Sequence, residues 1–268
     1  MEDYRHRPRK NTPHNVKVVD PGEQAVKVNP VGAGTVDDSI LECSHLILTD
    51  AGRPHIRNNC YTGGLDAHEA TDWVVRRNRI EGFWCDDGLS EHGIHMWREC
   101  ADSLVEENLI LDCARGIGFW LGSGADGHTR GIIRNNFIAA GAPGLFASAS
   151  GFDSGISLWG ADDAEVYHNT VASTQAPSAS SIEWRYISTS ACSLQRSSMK
   201  CRQARALAVT KILVSVALGN TERAAWRAIL RRDVASDTSA NLRDSPWTSR
   251  PYAWCACPIA SNQIWWSS

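Results

Sequence analysis

The sequence predicts an all-β fold, a right-handed parallel β-helix running from about Ala25 to Arg185. Three observations predict it. A six-residue motif centred on asparagine recurs five times, a short alternating strand accompanies most copies, and the spacing varies while the order holds. A unit repeated in this way stacks on its neighbours to bury a continuous core.

The motif reads apolar, two variable residues, Asn, one variable residue, apolar. Its copies are Ile56-Arg-Asn-Asn59-Cys-Tyr61, Val75-Arg-Arg-Asn78-Arg-Ile80, Val105-Glu-Glu-Asn108-Leu-Ile110, Ile133-Arg-Asn-Asn136-Phe-Ile138 and Val166-Tyr-His-Asn169-Thr-Val171. An asparagine between two short strands must turn the chain; it tolerates the left-handed backbone and bonds locally. Stacked, Asn59, Asn78, Asn108, Asn136 and Asn169 form a ladder that satisfies polar groups otherwise buried unpaired. Successive copies lie 19, 30, 28 and 33 residues apart, which suits coils whose loops differ in length. Val, Ile, Asn and Gly crowd these segments and no 3.6-residue period persists, which excludes a helical reading.

The strands are Gly93-Ile-His-Met-Trp97, Gly116-Ile-Gly-Phe-Trp120 and Gly155-Ile-Ser-Leu-Trp159, with weaker relatives in Gly64-Leu-Asp-Ala-His68, Ala25-Val-Lys-Val-Asn29 and Ser181-Ile-Glu-Trp-Arg185. Their second and fourth residues are apolar and point inward, so the third and fifth point outward. The outward third positions are Lys27, Asp66, His95, Gly118, Ser157 and Glu183. The fifth positions are Asn29, His68, Trp97, Trp120, Trp159 and Arg185.

One end of this face thus carries a lysine, a carboxylate and two imidazoles, and its middle carries three indoles. With strands about 4.8 Å apart, Lys27 and His95 lie about 10 Å apart with Asp66 between them, a span that suits a sugar residue. Lys27, Asp66 and His95 are therefore the candidate catalytic residues. His68, His92, Trp97, Arg115, Trp120 and Trp159 are candidate substrate contacts, the indoles as flat faces for sugar rings. Asp86 and Asp87 are candidate calcium ligands, a weak pair because calcium takes several oxygens. Three loops, 81–92, 112–115 and 139–153, lead into these strands and are expected to wall the site.

Composition narrows the class. Hydrophobic residues make up 43% of 268, and no apolar run approaches the roughly 20 residues of a spanning helix, so neither a disordered nor a membrane class is indicated. Residues 1–15 are basic and polar and do not read as a secretory signal. The net charge of −3 hides an asymmetry: residues 187–268 carry 11 basic against 4 acidic side chains, and the rest 16 against 26. Nine cysteines cannot all pair with one another. Cys43, Cys60, Cys85, Cys100 and Cys113 lack metal-ligand spacing and read as small buried hydrophobes rather than disulfides. Cys255-Ala-Cys257 stands apart in the tail.

Neither motif recurs after Ile187. The expected organisation is an irregular arm over residues 1–24, the β-helix over 25–186, and an aberrant tail over 187–268, disordered or loosely helical. Ala204 to Leu218 and Thr221 to Arg232 are its candidate helices. The abrupt mid-coil break points to a shifted reading frame or a misassembled end, with a genuine helical cap as the alternative, since an open solenoid end must be covered.

The asparagine turns and Gly-Ile strands resemble the right-handed parallel β-helix repeats of the pectate-lyase-like superfamily, over more than half of the chain. The resemblance implies that the Asn turn separates the second and third strands of a coil, and that the Gly-Ile strand is the first. It implies an active site on the outer face of that first sheet, a glycan as partner, no nucleic-acid or membrane partner, a monomer, and an extracellular or cell-surface location. It is specific for fold and unspecific for activity.

The function expected is that of a polysaccharide lyase acting on an acidic glycan by β-elimination. His95 would take the ring proton, Lys27 would neutralise the uronate, and Asp66 would orient an imidazole or hold a cation; the cofactor is left open, with calcium as one candidate. A hydrolase would instead pair Asp66 with Asp86 or Glu91. Two departures from the family stand out: no clustered Asp set typical of calcium-dependent lyases, and no outward Arg on these strands before Arg185. The alternatives are a non-catalytic glycan-binding or adhesion module built on the tryptophans, and an inactive truncated fragment. Convergence of Lys27, Asp66 and His95 in an open groove favours the enzyme, exposed tryptophans over a bare sheet favour binding, and loops burying both favour neither.

Overall fold

A computed structural model describes residues 11–30, 36–122 and 126–185, together with the backbone of 212–214. The chain winds as the predicted all-β right-handed parallel solenoid, with three parallel sheets running its length. The first sheet stacks Gln24–Val28, Gly63–Ala67, His92–Met96, Arg115–Phe119, Ser154–Trp159 and Ser180–Arg185. Each coil then contributes a three-residue strand to a second sheet, such as Val74–Arg76, and one of three or four residues to a third, such as Arg79–Glu81 or Phe137–Ala140. Right-handedness follows from the twist of strands joined by parallel crossovers.

The corners explain why the coils stay in register. The residue just before each ladder position takes the left-handed backbone: Cys43, Arg77, Glu107, Asn135 and His168 have φ between 52° and 56°. The sequence reading gave that conformation to the asparagine itself. A second left-handed column, Asp38, Asp72, Asp102, Arg130 and Asp163, sits six residues before each ladder residue. The stretch between the two corners has constant length, so all variation in coil length falls in the remaining loops.

The asparagines form the ladder itself. Asn108 Oδ1 accepts both the backbone N–H and the side-chain amide of Asn78, each at 3.0 Å, and its own Nδ2 donates to Val75 O at 2.9 Å. Asn136 and Asn169 repeat the pattern, and all four amides are at most 2% exposed. Asn59 is not a rung. It lies exposed in a left-handed loop ahead of the first sheet, and Ser44 holds its place, with its backbone N–H donating to Asn78 Oδ1 at 3.0 Å. The segment Leu41-Glu-Cys-Ser44-His-Leu46 carries the motif with serine at its centre.

The Gly of each Gly-Ile strand is a steric requirement. A Cβ at Gly116 would collide with the Gly155 carbonyl oxygen and stand 2.9 Å from Ile138 Cγ2, and Gly64, Gly93 and Gly155 face equivalent neighbours. The chain bends there, and the next residues, Leu65, Ile94, Ile117 and Ile156, enter the core fully buried. Each such side chain contributes about 1.5–3 kcal/mol of transfer free energy.

Three further findings revise the sequence reading. Lys17–Val19 already pairs with His45–Ile47, so the coils extend before Ala25 into the stretch expected to be an irregular arm. Cys60 and Cys85 form a disulfide with Cα atoms 5.7 Å apart, whereas Cys100 and Cys113 are buried as expected. The pairing was hidden because the two cysteines meet only when the loops before two successive coils fold side by side. Ile212–Val214, within a stretch expected to be helical, pairs as a strand with 171–173 on the third sheet. The rest of the 187–268 reading, with Cys255 and Cys257, lies outside the described residues.

Candidate functional site

The outward column on the first sheet is aligned as the alternation predicts. Lys27 faces Asp66, Asp66 faces His95, and the column continues through Gly118, Ser157 and Glu183. Loops cover most of it. Asp66 is 1% exposed and His95 2%, while the Lys27 side chain remains 34% exposed at the end of the column.

Around Lys27 four side chains close on one another. Its Nζ lies 2.6 Å from Asp66 Oδ2, 2.7 Å from Tyr61 Oη and 2.7 Å from His68 Nε2. The Tyr61 hydroxyl also donates to Asp66 Oδ2 at 2.6 Å, and His68 Nε2 stands 3.2 Å from Asp66 Oδ1. Burial opposes ionisation of Asp66, but bonds from His68, Lys27 and Tyr61 and the nearby His95 outweigh it, so the carboxyl stays well below its usual range. Burial, then the bond to Asp66, pushes the Tyr61 phenol above its ordinary value, so it keeps its proton. The cluster thus holds a fixed anion, a cation and a phenol ready to donate.

Behind this cluster lies a second one. His95 Nδ1 is 3.8 Å from Asp66 Oδ1 and 3.1 Å from Glu91 Oε2, and His92 Nδ1 is 3.9 Å from the same Glu91 oxygen. The two imidazoles lie 4.7 Å apart, centre to centre. His92 precedes the Gly93 bend, so its ring emerges on the outer face over Gly118, where a Cβ would come within 2.6 Å of it. Burial pushes the His92 imidazole down to about 3 against the opposing pull of Glu91, so it is neutral at pH 7. Glu91 is pulled the other way: burial opposes its charge, and His92 and His95 more than compensate.

The remaining candidates are spread along the sheet. Trp97 is half-buried, meets His68 edge-on at 4.3 Å and stacks on Trp120 at 5.9 Å with planes 25° apart. Trp120 itself is only 7% exposed. Trp159 donates its Nε1 to Glu183 at 2.8 Å and lies under the Arg185 guanidinium. Arg115 opens its strand beside His92 and pairs with Asp153 at 3.0 Å. Asp86 and Asp87 are exposed on the loop that follows Cys85 and join no group of three or more potential ligands among the described residues.

The loops that wall the site are held from below. Arg53 stacks on Trp84 and donates to the Gly82 and Trp84 carbonyls at 2.8 and 2.7 Å, and the Cys60–Cys85 disulfide ties the same loop to the preceding coil. Leu145 and Phe152, from the 139–153 loop, are buried against the solenoid. Tyr61 is the residue that sequence reasoning missed. It closes the Asn59 motif as an apparent core residue, and only its position five residues before Asp66 hinted at the contact.

Comparison with protein-family models, with curated proteins and with solved structures finds no match. The structure shows a parallel β-solenoid of about five turns, compatible with the expected β-helix fold. The functional reading therefore rests on the site.

Proposed function

We propose that this β-solenoid binds an acidic polysaccharide at the Lys27 end of its first sheet and cleaves it by β-elimination. The observation that carries the reading is the Lys27–Tyr61–His68 cluster, closed around the buried Asp66 carboxylate with its lysine open to solvent. β-Elimination beside a uronate needs positive charge on the carboxylate, a base for the adjacent ring proton and an acid for the departing oxygen. In this reading Lys27 supplies the charge and His68 is the base. Tyr61 donates its proton to the leaving oxygen, and Asp66 positions all three. His95, the base expected from the strand pattern, sits behind Asp66 and faces Glu91, so it positions rather than reacts. Trp97, edge-on to His68, offers a half-open face for the neighbouring sugar ring.

A glycan-binding module without turnover is the second reading, favoured by the Trp97–Trp120 stack. A screen of polyuronates and sulfated glycans, following the ultraviolet absorbance of unsaturated product, separates the two. The proposal expects product from the wild type and at least a hundred-fold loss in Lys27→Ala and in Tyr61→Phe. Retention on a glycan column with no product in any pairing supports the binding module. Undiminished turnover in both variants rejects the site.

A further inference from the structure

We propose that Glu91, His92 and His95 form a binding site for a divalent transition-metal ion of the zinc class. The site lies beside the Lys27 cluster and does not depend on the reading given to that cluster.

The argument starts from buried polarity. His92 is 0% and His95 2% exposed, and all four ring nitrogens lack a hydrogen-bond partner, as does Glu91 Oε2. Buried polar atoms are nearly always satisfied, and five unsatisfied atoms gathered in one place call for a common partner. The Glu91 oxygen is close enough to both rings for charge to act, at 3.1 Å from His95 Nδ1 and 3.9 Å from His92 Nδ1, yet neither approach makes a hydrogen bond.

Distances fit an ion between them. The ligand atoms of all three residues lie within 4.8 Å of one another. A tetrahedral ion with bonds of about 2.1 Å sets its ligand atoms about 3.4 Å apart, between the two measured separations. Two imidazoles and one carboxylate suit zinc, cobalt, nickel or ferrous iron far better than calcium, which takes oxygens.

The three side chains are also held in place. Glu91 N donates to Thr62 O at 3.0 Å, the Gly93 bend turns His92 outward, and the bare Gly118 leaves room for its ring. The Ser90 hydroxyl donates to Phe83 O at 3.0 Å, and the Cys60–Cys85 disulfide fixes the other end of the loop. Three protein ligands leave a tetrahedral ion one position open to water or a substrate oxygen. Asp66 Oδ1 stands 3.8 Å from His95 Nδ1 on the side of the Lys27 cluster.

The test uses the full chain, stripped with a chelator and titrated with zinc by calorimetry and with cobalt by visible absorption. The wild type is expected to bind one equivalent in this site, giving a cobalt spectrum of nitrogen and oxygen ligation. Glu91→Gln and His92→Asn are each expected to weaken that equivalent at least ten-fold, and His92→Asn/His95→Asn to abolish it, with circular dichroism confirming the solenoid. Lys27→Ala, outside the ligand set, should bind like the wild type whether or not it turns over glycan. Absence of binding by the folded wild type would overturn the proposal. So would an equivalent that survives in the double variant or shows thiolate charge transfer.

Discussion

The Lys27 ammonium and the Asp66 carboxylate meet at 2.6 Å across two adjacent coils, although 39 residues separate them in the chain. This pair closes the accessible end of the outward column, and the rest of the cluster is built on it. Lys27→Met leaves Asp66, 1% exposed, with Tyr61 and His68 alone. A third of the lysine is solvated, so the cost is about 1–3 kcal/mol in chemical denaturation. Lys27→Met/Asp66→Asn recovers part of it, because no unpaired buried charge remains. Additive losses in the cycle would deny the coupling.

The asparagine ladder predicts a sharp contrast between two matches to one motif. Asn108→Ala orphans the backbone N–H of Asn78 and the carbonyl of Val75, costing about 2–4 kcal/mol. Asn59→Gly keeps the left-handed loop and changes stability by no more than about 0.5 kcal/mol. Equal losses at the two positions would place Asn59 back in the ladder.

Acid should destabilise the solenoid through His128. Burial against Phe119, with a smaller push from Arg130 and an opposing pull from Asp102, lowers this imidazole from 6.5 to about 3. The unfolded chain therefore takes up a proton between those values that the folded chain refuses. Stability is full above pH 6.5 and falls with acidification by up to about 1.4 kcal/mol per pH unit. His128→Gln, still able to bond Ser103, should make that limb shallower between pH 6 and 4 relative to wild type, while the buried His92 keeps its own share of the slope, as followed by urea midpoints.

Reduction of Cys60–Cys85, which spans 25 residues, should remove about 3 kcal/mol. It also frees the loop that leads to Glu91. Cys60→Ser/Cys85→Ser should match the reduced wild type in thermal unfolding and be insensitive to reductant. A reductant-sensitive double variant would point to another pairing.

The sequence revealed the solenoid because its determinants are local and repeated: an Asn at four of the five ladder positions, a Gly where the sheet bends, an alternating apolar pair behind it. It revealed the Lys27–Asp66–His95 column for the same reason, since register follows from the repeat. Ser44 escaped because the motif was sought with asparagine, while the loop sequence around Asn59 imitated it. His92 reaches the outer face only because the chain bends at Gly93, which breaks strict alternation. Tyr61 and the disulfide depend on how loops of unequal length fold across neighbouring coils, and no period encodes that.

The most direct measurement compares wild-type turnover of an active polyuronate with turnover of the same polymer after its carboxylates are reduced to alcohols. If Lys27 acts on a uronate carboxylate, unsaturated product accumulates from the acidic polymer and is absent from the neutral one. Equal rates on both, or product from neither across the polyuronates tested, would contradict an acidic-glycan lyase at this end of the sheet.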